Sequence, residues 1–298
     1  MANETNTEFV GVCDADEERA KEIAEKNNCK YFTDWNDLLD KVDAVSIVTP
    51  TELHCEIASS FLEKGIHCLV EKPIAMSLEE VDKMTAIAEK SGAKIMVGHL
   101  ERYNPAMVSL RPHVTNPLYF EIHRVSPFPN RSLDVDVVLD VMIHDLDAIQ
   151  WLVGEDVKAA SIHAVGIPII SNKVDAANAR IEFENGAVAN ITASRVGTEK
   201  IRKTRFYQTN SYVVIDYVTK FASVTSMNPD AEHILLGINV NQLEVEDIEP
   251  LRAELSEFID CIVEDRNPPI TAQDGRRALS LALQVLDKID KHRNRLDM

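Results

Sequence analysis

At 298 residues the chain is long for one domain and comfortable for two, and its formal charge of −18 argues against nucleic acid or an anionic membrane as a partner, because phosphate contacts need a basic face. Cys13, Cys29, Cys55, Cys68 and Cys261 are odd in number and form no CxxC pair, which points to reduced thiols rather than a disulfide framework or a zinc site. There is no apolar run of ~18 residues and the opening MANETNTE is polar, so neither a membrane span nor a secretory leader is indicated and a cytoplasmic location is expected.

The stretch from Glu8 to Val12 reads as a short strand ending at Cys13 and Asp14, followed by a helix over about 17–27. Lys30 to Phe32 is a second short strand, and Asp34 then suits the N-cap of a helix carrying Leu38 and Leu39. Ala44 to Val48 is a continuous apolar run of strand length, the pattern of a strand buried on both faces of a parallel sheet. It ends in TPTELH and leads to a helix closed by Gly65. His67 to Val70 is a further buried strand ending in Glu71-Lys72-Pro73. A helix over about 78–91, capped by Gly92, precedes a strand over 94–97 and the sequence GHLERYNP.

Strand and helix alternating at this spacing predict a doubly wound parallel sheet, which binds ligands beyond the carboxyl ends of its strands. Asp14, Thr49, Pro50, Glu71, Lys72 and His99 stand at those ends. After about residue 116 the texture changes to six alternating strands, with Asn185-Gly186 as a hairpin turn. The spacing therefore predicts two domains. Residues 1–100 form a Rossmann-like α/β domain, and residues 101–298 an α+β domain with a mainly antiparallel sheet, its last helix packing back on the first domain. Helices are expected over about 251–264 and 274–288, the second with Thr271 as N-cap.

Between Asp136 and Gly154 the run DVVLDVMIHDLDAIQWLVG has helical period: Met142, Leu146, Ile149 and Val153 share one face. Asp140, His144 and Asp147 form a second stripe. Taken alone, such a stripe is more often a solvated face, and a lone histidine a satisfied core residue. A metal site using Asp140, His144 and His99 would lack a third ligand at diagnostic spacing. The basic stretch RVGTEKIRKTR, 195–205, is either the exposed decoration of a strand or a place to which an anion is steered.

Together VCDAD, VTPTELH, EKPIA, GHLERYNP and DVVLDVMIHDLD, in this order, resemble the glucose-fructose oxidoreductase, inositol dehydrogenase and MocA family of NAD(P)-dependent sugar oxidoreductases. The resemblance covers nearly the whole chain. It implies that Lys72, Asp140 and His144 lie around the nicotinamide and the reacting sugar carbon, and that Asp14 binds the adenosine ribose, which favours NAD over NADP. It further implies cofactor contacts at Thr49, Pro50, His54 and Glu71, and a homodimer or homotetramer. Histidine titrates near neutral pH and suits the general base, with Lys72 on the reacting oxygen and Asp140 orienting the pair; exchange of roles between His144 and Lys72 stays open.

The string from His123 to Asp147 is similar to a branch that oxidises the 3-hydroxyl of UDP-N-acetylglucosamine. This gives Arg102, Asn104, Arg124 and Arg131 a candidate task on the diphosphate or sugar hydroxyls, with a domain-interface salt bridge for Arg102 and surface pairs for Arg124 and Arg131 as the competing explanations. The family's opening strand and GxGxxG turn have no counterpart here. The expectation is a fragment or a late start, with a variant that has lost cofactor binding as the alternative. These 298 residues are accordingly expected to bind NAD weakly and to leave the strand at 8–12 separated from that at 44–48. A sugar-binding or oligomer-partner protein on the same scaffold is the competing function.

Overall fold

The computed structural model describes residues 7–128, 135–228, 230, 231, 233 and 237–295. In chain order the elements are β1 (Gly11–Cys13), α1 (Glu17–Asn27), β2 (Lys30–Phe32), β3 (Ala44–Ile47), α2 (Thr51–Glu63), β4 (His67–Glu71), α3 (Leu78–Ser91) and β5 (Ile95–Gly98). There follow α4 (Pro105–Leu110), β6 (Pro117–Val125), α5 (Ile143–Val153), β7 (Ala159–Ile167), β8 (Ala176–Phe183), β9 (Val188–Ser194) and β10 (Ile201–Gln208). The chain ends with β11 (Ser211–Asp216), β12 (Phe221–Met227), β13 (Ile238–Gln242), α6 (Pro250–Val263) and α7 (Ala272–Arg293). They fall into two compact units, Met1–His99 with Leu251–Arg276, and Leu100–Pro250 with Arg277–Met298. No described helix is long and apolar enough to cross a membrane.

Local chemistry sets the ends of the first unit's helices. Asp16 caps α1 by accepting from the Arg19 amide, and Asn28 closes it in the left-handed region at φ 50°. Ser77 accepts from the Glu80 amide to start α3, and Gly92, at φ 78°, ends it where a side chain would be strained. Asp34 caps only a short 3-10 turn, Trp35–Leu38, in place of the expected α-helix. Thr271 and Asp274 form a reciprocal box at α7: the Asp274 carboxylate accepts from the Thr271 amide at 2.7 Å, and the Asp274 amide donates to Thr271 Oγ1 at 3.3 Å.

The parallel strands of this unit lie in two separate sheets, β1-β2 and β3-β4-β5. In a doubly wound sheet of order 3-2-1-4-5-6 the strand joining such pieces is the family's first, and no such strand is among the described residues. Within the second piece the buried Cys68, Leu69, Val70, Met96 and Val97 explain why β4 and β5 read as unbroken apolar runs.

The second unit is built on an eight-stranded sheet in the order β13-β12-β11-β10-β6-β9-β8-β7. Seven pairings join these strands, and β6 with β9 is the parallel one, so the sheet is mainly antiparallel, as expected. β12 and β13 extend it beyond the six expected strands. Met142, Leu146 and Ile149 pack in one core cluster with Phe120, Ile122, Phe206, Val285 and Ile289, all under about 2% exposed. Each such side chain contributes roughly 1.5–3 kcal/mol through burial.

The 136–154 stretch is not one uniform helix. Val138–Met142 forms a π-helical turn that runs into α5 at Ile143. Asp136 anchors its start, accepting from the Val174 amide at 2.8 Å, and the wider turn shifts Asp140 out of the plain four-residue register with His144. Both remain half-buried while Asp145 and Asp147 are buried. Single π turns of this kind recur at functional sites.

Candidate active site

In the first unit the polar residues at the strand ends divide by exposure. Asp14, just past β1, accepts from Arg19 Nη2 at 2.9 Å and from the Asp16 amide at 2.9 Å. The Arg19 hydrogen bond holds its carboxyl below the usual range. Thr49 and Pro50 are exposed, and Pro50 starts α2 with no side-chain cap. That leaves first-turn amides of α2 open to an anion or water.

His54 is different. It is 1% exposed, with Nδ1 2.9 Å from the Pro73 carbonyl and Nε2 2.9 Å from the Thr49 carbonyl. The structure uses it as a strut between the ends of β3 and β4.

Lys72 is half-buried, follows the last residue of β4, and precedes a cis bond to Pro73. Beneath it, Glu71 Oε2 accepts from the Lys72 amide at 3.1 Å. Burial pushes the Glu71 carboxyl up, partly opposed by that amide and by the Lys72 charge. A Cβ at Gly98 would lie 3.0 Å from Glu71 Cδ, so glycine at the end of β5 lets the Glu71 side chain approach the strand. Glu254 of α6, 1% exposed, interacts with Glu71. Its own burial and the Glu71 charge push it up to about 8, and its Oε1 accepts no hydrogen bond among the described residues. Sequence spacing gave no sign of this carboxyl pair, because its members are far apart in the chain.

In the second unit Asp140 stands in the π turn and His144 in the first turn of α5. Beneath them lies a frame of buried ion pairs. Arg124 donates from Nε and Nη2 to Asp145 at 2.7–3.0 Å and from Nη1 to Glu101 at 2.7 Å. Burial disfavours the Arg124 charge, but Asp145 and Glu101 outweigh it and raise its pKa above the ordinary arginine value. Arg102 donates to both oxygens of Asp147 at 2.6 and 2.9 Å and stacks over Trp151, 5.4 Å from the ring centroid.

Arg102 and Arg124, expected at a diphosphate, are thus 8% and 3% exposed and committed to carboxylates of their own unit. Asn104, also buried, caps α4 by accepting from the Ala106 amide at 3.1 Å. Arg131 lies outside the described residues. Asp147 belongs to this frame rather than to an open stripe with Asp140 and His144. No group of three or more His, Cys, Asp or Glu among the described residues is placed to hold a metal ion.

A divided parallel α/β unit and a second unit built on a large mixed sheet give the chain a two-unit architecture of Rossmann type. Residues 1–99 match the model of the oxidoreductase family with the NAD-binding Rossmann fold, and residues 109–214 match the GFO/IDH/MocA C-terminal domain. The chain belongs to the Gfo/Idh/MocA family of NAD-dependent oxidoreductases acting on CH–OH groups. It is 35% identical over 280 residues to the UDP-N-acetylglucosamine 3-dehydrogenase of Acidithiobacillus ferrooxidans, covering 94% of this chain and 89% of that one. The D-glucoside 3-dehydrogenase of Escherichia coli is 29% identical over 213 residues, 61% of each chain. A solved structure of the A. ferrooxidans enzyme superposes with a TM-score of 0.88 over 95% of this chain and 90% of that one. A levoglucosan dehydrogenase in complex with NADH, 21% identical, shares the fold with a TM-score of 0.84, covering 94% of this chain and 88% of that one.

The chemistry of two strand ends in the first unit is compatible with NAD. Asp14 offers a carboxylate beyond β1, and α2 presents uncapped amides beyond β3.

Proposed function

We propose that this protein oxidises the 3-hydroxyl of a nucleotide sugar of the UDP-N-acetylglucosamine type, with NAD as acceptor. The observation that carries the reading is the placement of half-buried Asp140 and His144 in a π turn and the helix turn after it, on a helix fixed by buried ion pairs. The likeness to the A. ferrooxidans enzyme supports the choice of substrate.

In this reading His144 takes the hydroxyl proton as the carbonyl forms, Lys72 donates a hydrogen bond to the same oxygen and stabilises its developing charge, and Asp140 orients the histidine. Bound NAD supplies the hydride acceptor. Asp14 holds the adenosine ribose hydroxyls, where a carboxylate disfavours the 2′-phosphate of NADP. Thr49, Pro50 and the first turn of α2 meet the middle of the cofactor, and Glu71 supports Lys72 from beneath. Arg102 and Arg124 position α5. The protein acts in the cytoplasm as a homodimer or homotetramer. The exposed Val165, Ile167 and Tyr207, on the sheet face that alternates away from the core, support such an assembly.

The test is nicotinamide reduction by the whole chain with UDP-N-acetylglucosamine, N-acetylglucosamine and myo-inositol, each with excess NAD. The proposal requires turnover of the nucleotide sugar and little of the other two. Equal turnover of all three would overturn the substrate assignment. A second reading, a sugar-binding protein without turnover, draws on the division of the parallel strands into two sheets. It requires UDP-N-acetylglucosamine binding with no change in nicotinamide absorbance at any NAD concentration.

A further inference from the structure

The ion-pair frame holds Arg102 and Arg124 on carboxylates, and it leaves another guanidinium beside them. Arg202 on β10 is in register with Arg124 on β6, and its nearest carboxylate oxygen is Glu101 Oε1 at 3.7 Å. That oxygen already accepts from Arg124 Nη1 at 2.7 Å. The other neighbouring acid, Asp145, has both oxygens occupied by Arg124. Among the described residues the Arg202 guanidinium makes no hydrogen bond, and its side chain remains 41% exposed.

The other basic residues of the stretch are placed differently. Arg195 is fully buried on Asp175 at 2.8 Å. Lys203 pairs with Asp216 at 3.2 Å on the opposite face of the strand, and Arg205 shares that face by alternation. Arg202 alternates with the buried Thr204 and Phe206, so it stands on the face that packs against α5. Asp145, tied to Arg124, sits next in sequence to His144. One side of this frame therefore holds the turn with His144, and the other presents a half-exposed, hydrogen-bond-deficient guanidinium.

We propose that Arg202 is the residue that grips the anionic part of the substrate, a nucleoside diphosphate linked to the sugar. A guanidinium presents paired donors that match phosphate oxygens. Burial and the like charge of Arg124 already lower the Arg202 pKa, so an arriving dianion meets a cation whose charge is incompletely compensated. The proposal rests on the nucleotide-sugar reading and names the contact that makes it selective over free sugars.

The experiment measures UDP binding to the whole chain by calorimetry without NAD, using wild type, Arg202→Ala, Arg202→Lys and Arg205→Ala, with thermal melts to verify folding. Arg205→Ala removes the same charge from the opposite face of β10. Arg202→Ala is expected to weaken UDP binding about 10- to 100-fold, the range for a lost charge-assisted hydrogen-bonded pair. Arg202→Lys recovers part of the loss and Arg205→Ala stays within ~2-fold of wild type, the size of an exposed-charge effect.

If wild type binds UDP and folded Arg202→Ala binds it equally well, the assignment of Arg202 is wrong while the nucleotide-sugar reading stands. An equal loss in Arg205→Ala also overturns it, since the effect would then be general charge. If wild type binds no UDP yet turns over free sugars, the underlying reading fails and the proposal fails with it.

Discussion

Replacing Glu254 by glutamine removes one ionisable group from the interior of the first unit with almost no change of shape. The folded carboxyl is pushed up to about 8 from its ordinary 4.5, by burial first and the Glu71 charge second. The native state therefore holds this proton more tightly than the unfolded chain. Between about pH 4.5 and 8 the folded form binds the extra proton, so stability falls as pH rises through that window. A rise of roughly 3.5 at about 1.4 kcal/mol per pH unit sets a ceiling near 5 kcal/mol. Relaxation around an ionised buried group brings the expected effect down to about 2–3 kcal/mol. Urea unfolding of wild type and Glu254→Gln at pH 5 and pH 9 measures it. The two proteins should agree within ~0.5 kcal/mol at pH 5, the usual scatter of near-neutral substitutions, and glutamine should be the more stable by about 2–3 kcal/mol at pH 9. The same difference at both pH values would refute a buried, proton-holding Glu254.

Four further outcomes follow from the geometry. Arg124→Met leaves Asp145 and Glu101 without their main cation, so urea unfolding should register a loss of about 3–5 kcal/mol, the cost of orphaning a buried charge. Gly98→Ala places a methyl 3.0 Å from Glu71 Cδ, and chemical denaturation should show about 1–3 kcal/mol of destabilisation from overpacking. His144→Ala and Lys72→Ala should each lower kcat by about 10²–10⁴, the contribution of a positioned general acid or base, with thermal melts close to wild type; a drop of less than ~10-fold in either would remove it from the mechanism. His54→Ala takes away the strut between the Thr49 and Pro73 carbonyls, and should weaken NAD binding by titration while leaving UDP binding unchanged.

The parts of the fold that were legible in the sequence are those governed by neighbours in the chain. Gly92 and Thr271 mark helix ends because a cap acts on amides or carbonyls within one turn. β4 and β5 are legible as unbroken apolar runs. β12 and β13 were missed. β13 alternates apolar Ile238 and Val240 with polar Asn239 and Asn241, but it is only five residues long and exposed at every position.

The π turn at Val138–Met142 was hidden by the smooth helical period of Met142, Leu146 and Ile149, which one inserted residue does not disturb. The ion pairs are the larger omission. Arg102 with Asp147 and Arg124 with Asp145 and Glu101 join residues separated by 45, 21 and 23 positions, and no local pattern links them. Salt bridges were the competing explanation for Arg102 and Arg124, and their carboxylate partners could not be named from spacing alone. The 195–205 stretch, read as either strand decoration or a place for an anion, contains the half-exposed Arg202.

The central claim is that hydride leaves carbon 3 of a nucleotide sugar for the nicotinamide while His144 takes the proton. Incubating the whole chain with excess NAD and UDP-N-acetylglucosamine deuterated at C3, then analysing both products by mass spectrometry, tests it directly. The account predicts one deuterium in the reduced nicotinamide, a 3-keto sugar nucleotide, and loss of both in His144→Ala. Deuterium retained in the sugar, or released to water with no labelled nicotinamide, would contradict it.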